Sequence, residues 1–146
     1  MSWWLIVLLA FCGMEVFTAL FHRFVMHGPL WSIHHSHHKP KGTLLERNDV
    51  FVLFFTASAM ALIALGYPNS SMMWIGVGIA VYGVAYFLVH DVIIHKRFAR
   101  PPRPKNPYLV AVYRMHMAHH RHVDTPKGEA FGLLFVPPRY WKQVLR

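Results

Sequence analysis

The chain has 146 residues, of which 55% are hydrophobic and only 14% charged, and its mean hydropathy is +0.31. This composition excludes an intrinsically disordered chain and argues against an ordinary soluble domain, which could not bury so much apolar surface. A single cysteine excludes an internal disulfide framework and a cysteine-rich metal cluster, whereas twelve histidines and a net charge of +9 leave imidazole as the main potential metal ligand.

The first half of the chain begins with an apolar run that is long enough to cross a bilayer. Residues 3–21 contain one charged residue, Glu15, and about 20 residues are needed to span the hydrocarbon core. No basic residue precedes this run and no small-residue cleavage site follows it, so we expect the helix to stay in the protein. Two histidine tracts follow: His22 and His27 in the pattern HX4H, then His34, His37 and His38 in the pattern HX2HH.

The second half repeats this order. Uncharged apolar runs at 50–67 and 72–89 predict two further spans, and HX4H and HX2HH tracts follow at His90, His95, His116, His119 and His120. His22 lies 19 residues after Trp3, and His90 lies 19 residues after Ser71. The first and third spans therefore run in the same direction and deliver both HX4H tracts to the same membrane boundary.

The sequence thus predicts an all-α integral membrane bundle that forms one domain, residues 1–146. We expect three spans, or four with a further membrane-associated segment, and helical segments at 22–49 and 90–146 that carry a histidine-rich dimetal site. All 15 Lys and Arg residues lie in these two segments. Because basic residues concentrate on the cytoplasmic side, the N-terminus is expected outside and the histidines inside. Because the concentration of basic residues on one side of the membrane already explains the net charge of +9, we expect no nucleic-acid partner.

An α-helix would place the histidines of HX2HH on one face but would separate those of HX4H. In an α-helix, the three histidines of HX2HH fall within an arc of about 100°, so one metal ion or a close pair can collect them. The two histidines of HX4H differ by about 140° and about 7.5 Å of rise. Either each of them reaches a different metal, or the helix unwinds between them, which Gly28 and Pro29 would permit after His27.

The number and type of donors indicate the metal. Imidazole suits Zn, Cu, Fe and Ni, and ten histidines exceed the three ligands of a catalytic zinc site. About five donors for each metal, with one position left open, suit two octahedral ions that bind O2. The carboxylates of the ferritin-like di-iron bundles are missing here. His35 and His122 lie outside the matched pattern.

A few carboxylates and small residues complete the predictions from pattern. Glu15 lies seven residues before His22, so the two side chains share a helix face; it either orients that ring or bonds to a neighbouring helix. Asp91, next to His90, could accept a hydrogen bond from the ring N–H of a histidine in a different tract. Asn48 and Asp49 are expected to cap the second span. Gly76 and Ala80 form a small-residue pair that allows close helix packing.

These motifs resemble the bacterial beta-carotene hydroxylases of the non-haem di-iron type, in the fatty acid hydroxylase and sterol desaturase superfamily. The resemblance covers nearly the whole chain and includes segments 13–16, 22–28, 34–40, 48–49, 86–91, 116–120 and 131–138. His35 and a short C-terminal tail depart from the family. The resemblance implies ten iron ligands, which are His22, His27, His34, His37, His38, His90, His95, His116, His119 and His120.

The resemblance also implies the reaction. It implies O2-dependent hydroxylation at C3 of each beta-ionone ring, from beta-carotene through beta-cryptoxanthin to zeaxanthin, in a bacterial inner membrane. Two irons, for which zinc could substitute in purified protein, would receive electrons from ferredoxin and its reductase. The basic face could steer an acidic ferredoxin, or serve only topology and anionic lipid. Four aromatic residues could line the ring pocket or simply pack against lipid and core: Phe21, Phe24, Phe87 and Phe98.

Three alternatives remain open from the sequence. The first is a fatty acyl or sterol hydroxylase or desaturase of the same superfamily. The second is a membrane metal-binding or transport protein, which the position of the histidines at one boundary disfavours, because transporters place polar ligands near the bilayer midplane. The third is a b-type haem protein, which needs only two of the ten histidines.

Overall fold

The computed structural model describes residues 1–39, 43–123, 130–142 and 144, and every regular element among them is helical. The predicted all-α fold is confirmed. In chain order the elements are α1 (Trp3–Phe21), the π-helical segment π1 (His22–Met26), α2 (Trp31–His38), α3 (Asp49–Gly66), α4 (Ser71–Tyr86), the π-helical segment π2 (Phe87–Ile94), α5 (Pro107–Arg121) and α6 (Pro138–Lys142).

Three helices are long and apolar enough to cross a membrane: Trp3–Met26, Asp49–Gly66 and Ser71–Ile94. The described residues hold no fourth helix of this kind. The first and third reach further than the predicted runs 3–21 and 72–89, because α1 continues without a break into π1 and α4 into π2. Side chains such as Leu53 and Leu65 are 68% and 78% exposed, as expected for residues that face lipid.

Helix α4 packs against both α1 and α3, and two glycines allow this close approach. A Cβ atom at Gly76 would lie 2.7 Å from the carbonyl oxygen of Ala59 on α3, and one at Gly78 would lie 2.6 Å from Cβ of Ala10 on α1. The close approach predicted at Gly76 is therefore observed, and Gly78 provides a second one on the opposite face of α4. This packing brings π1 and π2 to the same end of the bundle.

Beyond that end, α5, α6 and π2 share a small apolar core. Its buried members are Ile94, Ala111, Val112, Met115, Leu133, Val136 and Tyr140. Helix α5 begins sharply, because the side chain of Asn106 accepts hydrogen bonds from the backbone N–H groups of Tyr108 and Leu109, and Pro107 occupies the first helical position. The core fixes one face of α5, which in turn fixes the direction of its histidines.

Candidate metal centre

The first histidine of each HX4H tract lies in a π-helical segment, and the second follows that segment directly. The backbone N–H of His27 donates to the carbonyl oxygen of His22 at 2.9 Å, and that of His95 donates to His90 at 2.9 Å. A bond that links residues five apart places their side chains one above the other, which an α-helix does not. Of the two alternatives drawn from α-helical geometry, the structure is closer to the second: the turn between the two histidines is underwound, although the helix does not break, and both rings of each tract lie in one group.

The local sequence explains where the first widened turn ends. A side chain at Gly28 would run into the carbonyl group of Phe24, so only glycine fits there. Pro29 has no backbone N–H to donate and cannot continue the helix. The chain then turns and re-enters a helix at Trp31, which places α2 beside π1.

The histidine rings converge in two groups, within each of which the ligand atoms lie within 4.8 Å of one another. The first group comprises His22, His27, His34, His38 and His119. The second group comprises His37, His90, His95 and His116. Nine of the ten predicted ligands therefore lie in two sets that could each hold a metal ion.

The two groups are not the two halves of the sequence. Helix α2 contributes His34 and His38 to the first group but His37 to the second, and α5 contributes His119 to the first but His116 to the second. The three histidines of each HX2HH tract share one helix face, as predicted, but that face looks onto both groups. Sequence order suggested two sets of five rings, one from each half, and the structure instead exchanges one ring in each direction.

His120, the tenth predicted ligand, lies between the two groups. Its ring centroid is 4.3 Å from that of His38 and 4.6 Å from that of His116. Nε2 of His120 is buried and has no hydrogen-bond partner among the described residues. A buried nitrogen of this kind is expected to have a partner, and a metal ion would supply one.

The geometry of His22 and His34 tests whether the rings fit a cation. Nδ1 of His22 donates to the carbonyl oxygen of Phe131 at 2.9 Å, and Nδ1 of His34 donates to Oδ1 of Asn48 at 2.7 Å. Because each neutral ring carries its proton on Nδ1, both Nε2 atoms are bare, yet they lie 2.9 Å apart. Two lone pairs repel at this distance unless a cation separates them.

The spacing of the other rings agrees with a shared cation. Nε2 atoms lie 3.2 Å apart in His22 and His27, 3.0 Å apart in His34 and His38, and 3.1 Å apart in His37 and His90. Two metal–nitrogen bonds of about 2.1 Å that meet at a right angle separate their nitrogens by about 3.0 Å. These nitrogen separations therefore fit transition-metal ions whose neighbouring ligands meet at the right angles of an octahedron.

Burial keeps the rings in the form that binds metal. Desolvation lowers the pKa of His34 to about 4 and that of His120 to about 3. It also lowers the pKa of His37 and His116, and the neighbouring imidazoles act in the same direction. Neutral imidazole is the ligand form, so the rings need not release a proton to bind a metal near neutral pH.

A loop between α2 and α3 supports rings of both groups. Asn48 occupies the N-cap position of α3, as predicted, but its side chain makes no capping hydrogen bond, because its Oδ1 accepts one from His34 instead. Oε2 of Glu46 lies 3.4 Å from Nδ1 of His37, in the second group. Burial raises the pKa of Glu46, whereas the nearby Arg97 guanidinium lowers it.

The sequence suggested that Asp91 bonds a ring of a different tract, but in the structure it lies against the ring of its own neighbour, His90. Its Oδ2 lies 3.5 Å from Nδ1 of the adjacent His90, and its Oδ1 accepts a hydrogen bond from Arg97 at 2.8 Å. Arg97 also bonds both carboxylate oxygens of Asp49, which begins α3. Asp49 therefore has a second role besides its acidic position in the first helical turn.

Glu15 contacts no ring of either group and instead anchors the segment that follows α5. Its Oε1 accepts hydrogen bonds from three consecutive backbone N–H groups, at Leu133, Leu134 and Phe135, at 2.8–2.9 Å. The hydroxyl of Tyr82 on α4 donates to Oε2 at 2.8 Å. The anchored segment contains Phe131, whose carbonyl oxygen accepts the hydrogen bond from His22.

The predicted pocket aromatics pack against other aromatic rings or are exposed, and the two spare histidines belong to neither group. Phe21 packs against Phe51 and Phe55 of α3, and Phe87 packs against Phe98. Phe24 is 61% exposed. The ring centroid of His35 lies 5.2 Å from that of Trp31, and neither His35 nor His122 belongs to a group.

Sequence reasoning missed several supporting residues. Phe131 lies against three rings of the first group, His22, His27 and His119, at 5.1–5.4 Å between centroids. Glu46, Arg97 and Tyr82 were also missed. A usable signal existed for Glu46, because the chain has only six carboxylates and this one follows a histidine tract. The carbonyl of Phe131 is main chain and leaves no trace in the sequence.

Comparison with known proteins identifies the family of the chain. A family model described as Fatty acid hydroxylase matches residues 7–138. The beta-carotene hydroxylase of Pantoea ananas is 39% identical over 135 residues, which cover 92% of this chain and 77% of that protein. The beta-carotene hydroxylase of Pseudescherichia vulneris is 40% identical over 144 residues, covering 97% and 82%. Beta-carotene 3-hydroxylase 1, chloroplastic, of Arabidopsis thaliana is 38% identical over 137 residues, covering 90% and 43%. No solved structure matches the chain.

Proposed function

Because the chain belongs to the fatty acid hydroxylase family and is a hydroxylase, we propose that it hydroxylates C3 of the beta-ionone rings of carotenoids in an O2-dependent reaction. The steps would be beta-carotene to beta-cryptoxanthin to zeaxanthin. The observation that carries the proposal is the convergence of histidines from both halves at one end of the apolar spans, in a chain 39% identical to a beta-carotene hydroxylase.

We propose that two iron ions are held by the ten histidines, His22, His27, His34, His37, His38, His90, His95, His116, His119 and His120. When bound, the irons would activate O2, so that one oxygen atom enters the C–H bond and the other leaves as water with two protons and two external electrons. Zinc could occupy the same donors in purified protein, because imidazole suits both metals. The chain's own residues hold the donors neutral, oriented and shielded from water.

Glu15 and Asp91 are proposed as residues that position this machinery rather than contact the substrate. Glu15 holds the segment that carries the Phe131 carbonyl, and that carbonyl keeps the proton of His22 on Nδ1. Asp91 lies beside Nδ1 of His90 and would favour the same tautomer there. Both act through a ligand ring, as outer partners of metal-bound histidines commonly do.

The substrate and the electron donor would reach the site from different sides. A carotenoid dissolved in the bilayer would approach along the apolar spans. The N-terminus would lie outside a bacterial inner membrane, and the histidines and the C-terminus in the cytoplasm. Electrons would come from ferredoxin and its reductase, which the exposed basic residues Arg47, Arg100 and Arg103 could attract.

Expression in bacterial cells that accumulate beta-carotene tests the proposal. Under air containing ¹⁸O2, we expect zeaxanthin that carries the label at C3, whereas cells with His37→Ala protein should keep beta-carotene. Absence of hydroxylated pigment from cells that contain the intact, metal-loaded protein would contradict the assignment of substrate. Labelled hydroxylation of acyl chains or sterols in the same cells would favour the alternative within the superfamily.

A further inference from the structure

Arg97 lies at the centre of a charged network. Its Nη1 donates to Oδ1 of Asp49 at 2.9 Å and to Oδ1 of Asp91 at 2.8 Å. Its Nη2 donates to Oδ2 of Asp49 at 2.7 Å and to the carbonyl oxygen of Leu44 at 2.9 Å. Its Nε lies 3.8 Å from Oε1 of Glu46. One side chain therefore joins the 44–49 loop to the end of π2.

Two of these carboxylates lie against rings of the second histidine group. Oε2 of Glu46 is 3.4 Å from Nδ1 of His37, and Oδ2 of Asp91 is 3.5 Å from Nδ1 of His90. The opposite nitrogens of the same two rings, both Nε2, lie 3.1 Å apart. The loop supplies the carboxylate beside His37 and π2 supplies the one beside His90, and Arg97 contacts both carboxylates.

We infer that Arg97 is a positioning residue for the second histidine group, which it holds closed by joining the carboxylates behind His37 and His90. The inference rests on the proposal that the groups bind metal. Three carboxylates this close would repel one another in a poorly solvated site, and the guanidinium offsets part of their charge while fixing their directions. Its planar fork matches the bidentate contact with Asp49, which a lysine could not reproduce.

Metal titration of the detergent-solubilised apoprotein with Co²⁺ tests the inference without any carotenoid. Wild-type protein should bind two ions, and the step lost in His95→Ala identifies the second group. In Arg97→Lys, we expect this step to weaken by ~10- to 100-fold, the range measured when outer partners of metal ligands are removed. The step of the first group should keep its affinity. Asp49→Asn, which breaks the same fork from the other side, should reproduce the effect, so the test does not depend on one variant folding.

The matched control is Arg100→Lys, at an exposed position three residues along the chain. It should leave both steps unchanged. Unchanged binding in both Arg97→Lys and Asp49→Asn would overturn the inference, and equal weakening of both steps would reduce Arg97 to a general structural role. Selective weakening in a protein that yields no hydroxylated carotenoid would support the inference and contradict the proposed function. A wild-type protein that binds no Co²⁺ would overturn the inference directly.

Discussion

Rings of the two histidine groups are held from behind by different kinds of partner. In the first group, His22 and His34 donate to neutral oxygens, the carbonyl of Phe131 and the amide of Asn48. In the second group, His37 and His90 lie beside the carboxylates of Glu46 and Asp91, with Arg97 behind them. Imidazole rings are thus positioned by hydrogen bonds to uncharged groups in the first group and by a network of charged side chains in the second.

The charged residue that supports the first group, Glu15, acts through a backbone segment instead of contacting a histidine ring. Glu15 binds the backbone of the segment at 133–135, and the carbonyl oxygen of Phe131 next to that segment accepts the hydrogen bond from His22. The loop between α2 and α3 contributes to both groups, through Asn48 to the first and through Glu46 to the second; the further support is a membrane helix for the first group and the end of π2 for the second. The comparison indicates that changes at the two supports should affect different metal ions.

The largest effect is expected for a variant that removes one of the rings exchanged between the two halves of the chain. His119→Ala removes a donor of the first group although it belongs to the second half, so activity should be abolished and the metal content should fall. His35→Ala, on the neighbouring tract but outside both groups, should be mild. Metal analysis and pigment analysis of both variants check this. Equal loss at His35 would contradict the assignment of ligands within 34–38.

Removal of the partner of His34 should have the next largest effect. Asn48→Ala takes away the acceptor that holds the proton of His34 on Nδ1, and we expect metal affinity to fall by ~10- to 100-fold. The loss should be confined to the first group, as the loss in Arg97→Lys is confined to the second. A Co²⁺ titration in which Asn48→Ala and Arg97→Lys weaken the same step would remove the distinction between the supports.

A smaller effect is expected at Glu15, because it acts on His22 through the segment at 131–135. Glu15→Gln keeps an oxygen acceptor for the three N–H groups but loses the charge that strengthens those bonds. Metal occupancy of the first group should decrease by up to ~10-fold, less than for a direct partner. Membrane insertion should be unaffected.

Tyr82→Phe provides the comparison for Glu15. It removes the hydrogen bond to Oε2 but leaves the three backbone contacts at Oε1, so metal occupancy should stay near that of wild type. Wild-type occupancy and activity in Glu15→Gln would make Glu15 a packing residue.

The smallest expected effect concerns the position of Asn48. Oγ of Ser36 accepts a hydrogen bond from the backbone N–H of Asn48 at 3.2 Å, and Ser36→Ala should cost about 1 kcal/mol of stability. Ser32→Ala, at an exposed position on the same helix, is the control and should show no change in thermal unfolding. Identical melting temperatures of the two variants would show that this bond does not hold the loop.

The spans and the histidine pattern could be predicted because they depend on composition and spacing alone. Hydropathy identified three helices, and the repeated tracts identified the nine grouped rings and His120 beside them. The π-helical turns could not be predicted, because the same residues fit an α-helix and only the packing of their rings in one group favours the wider turn. The exchange of His37 and His119 depends on how α2 faces α5, which sequence order does not contain.

Metal and product analysis of one anaerobically purified sample tests the central claim most directly. Two matched groups of rings predict about two transition-metal ions for each chain, and the same sample should convert beta-carotene to hydroxylated products when given O2 and a reductant. A folded chain that carries no transition metal, yet still hydroxylates the carotenoid, would contradict the account.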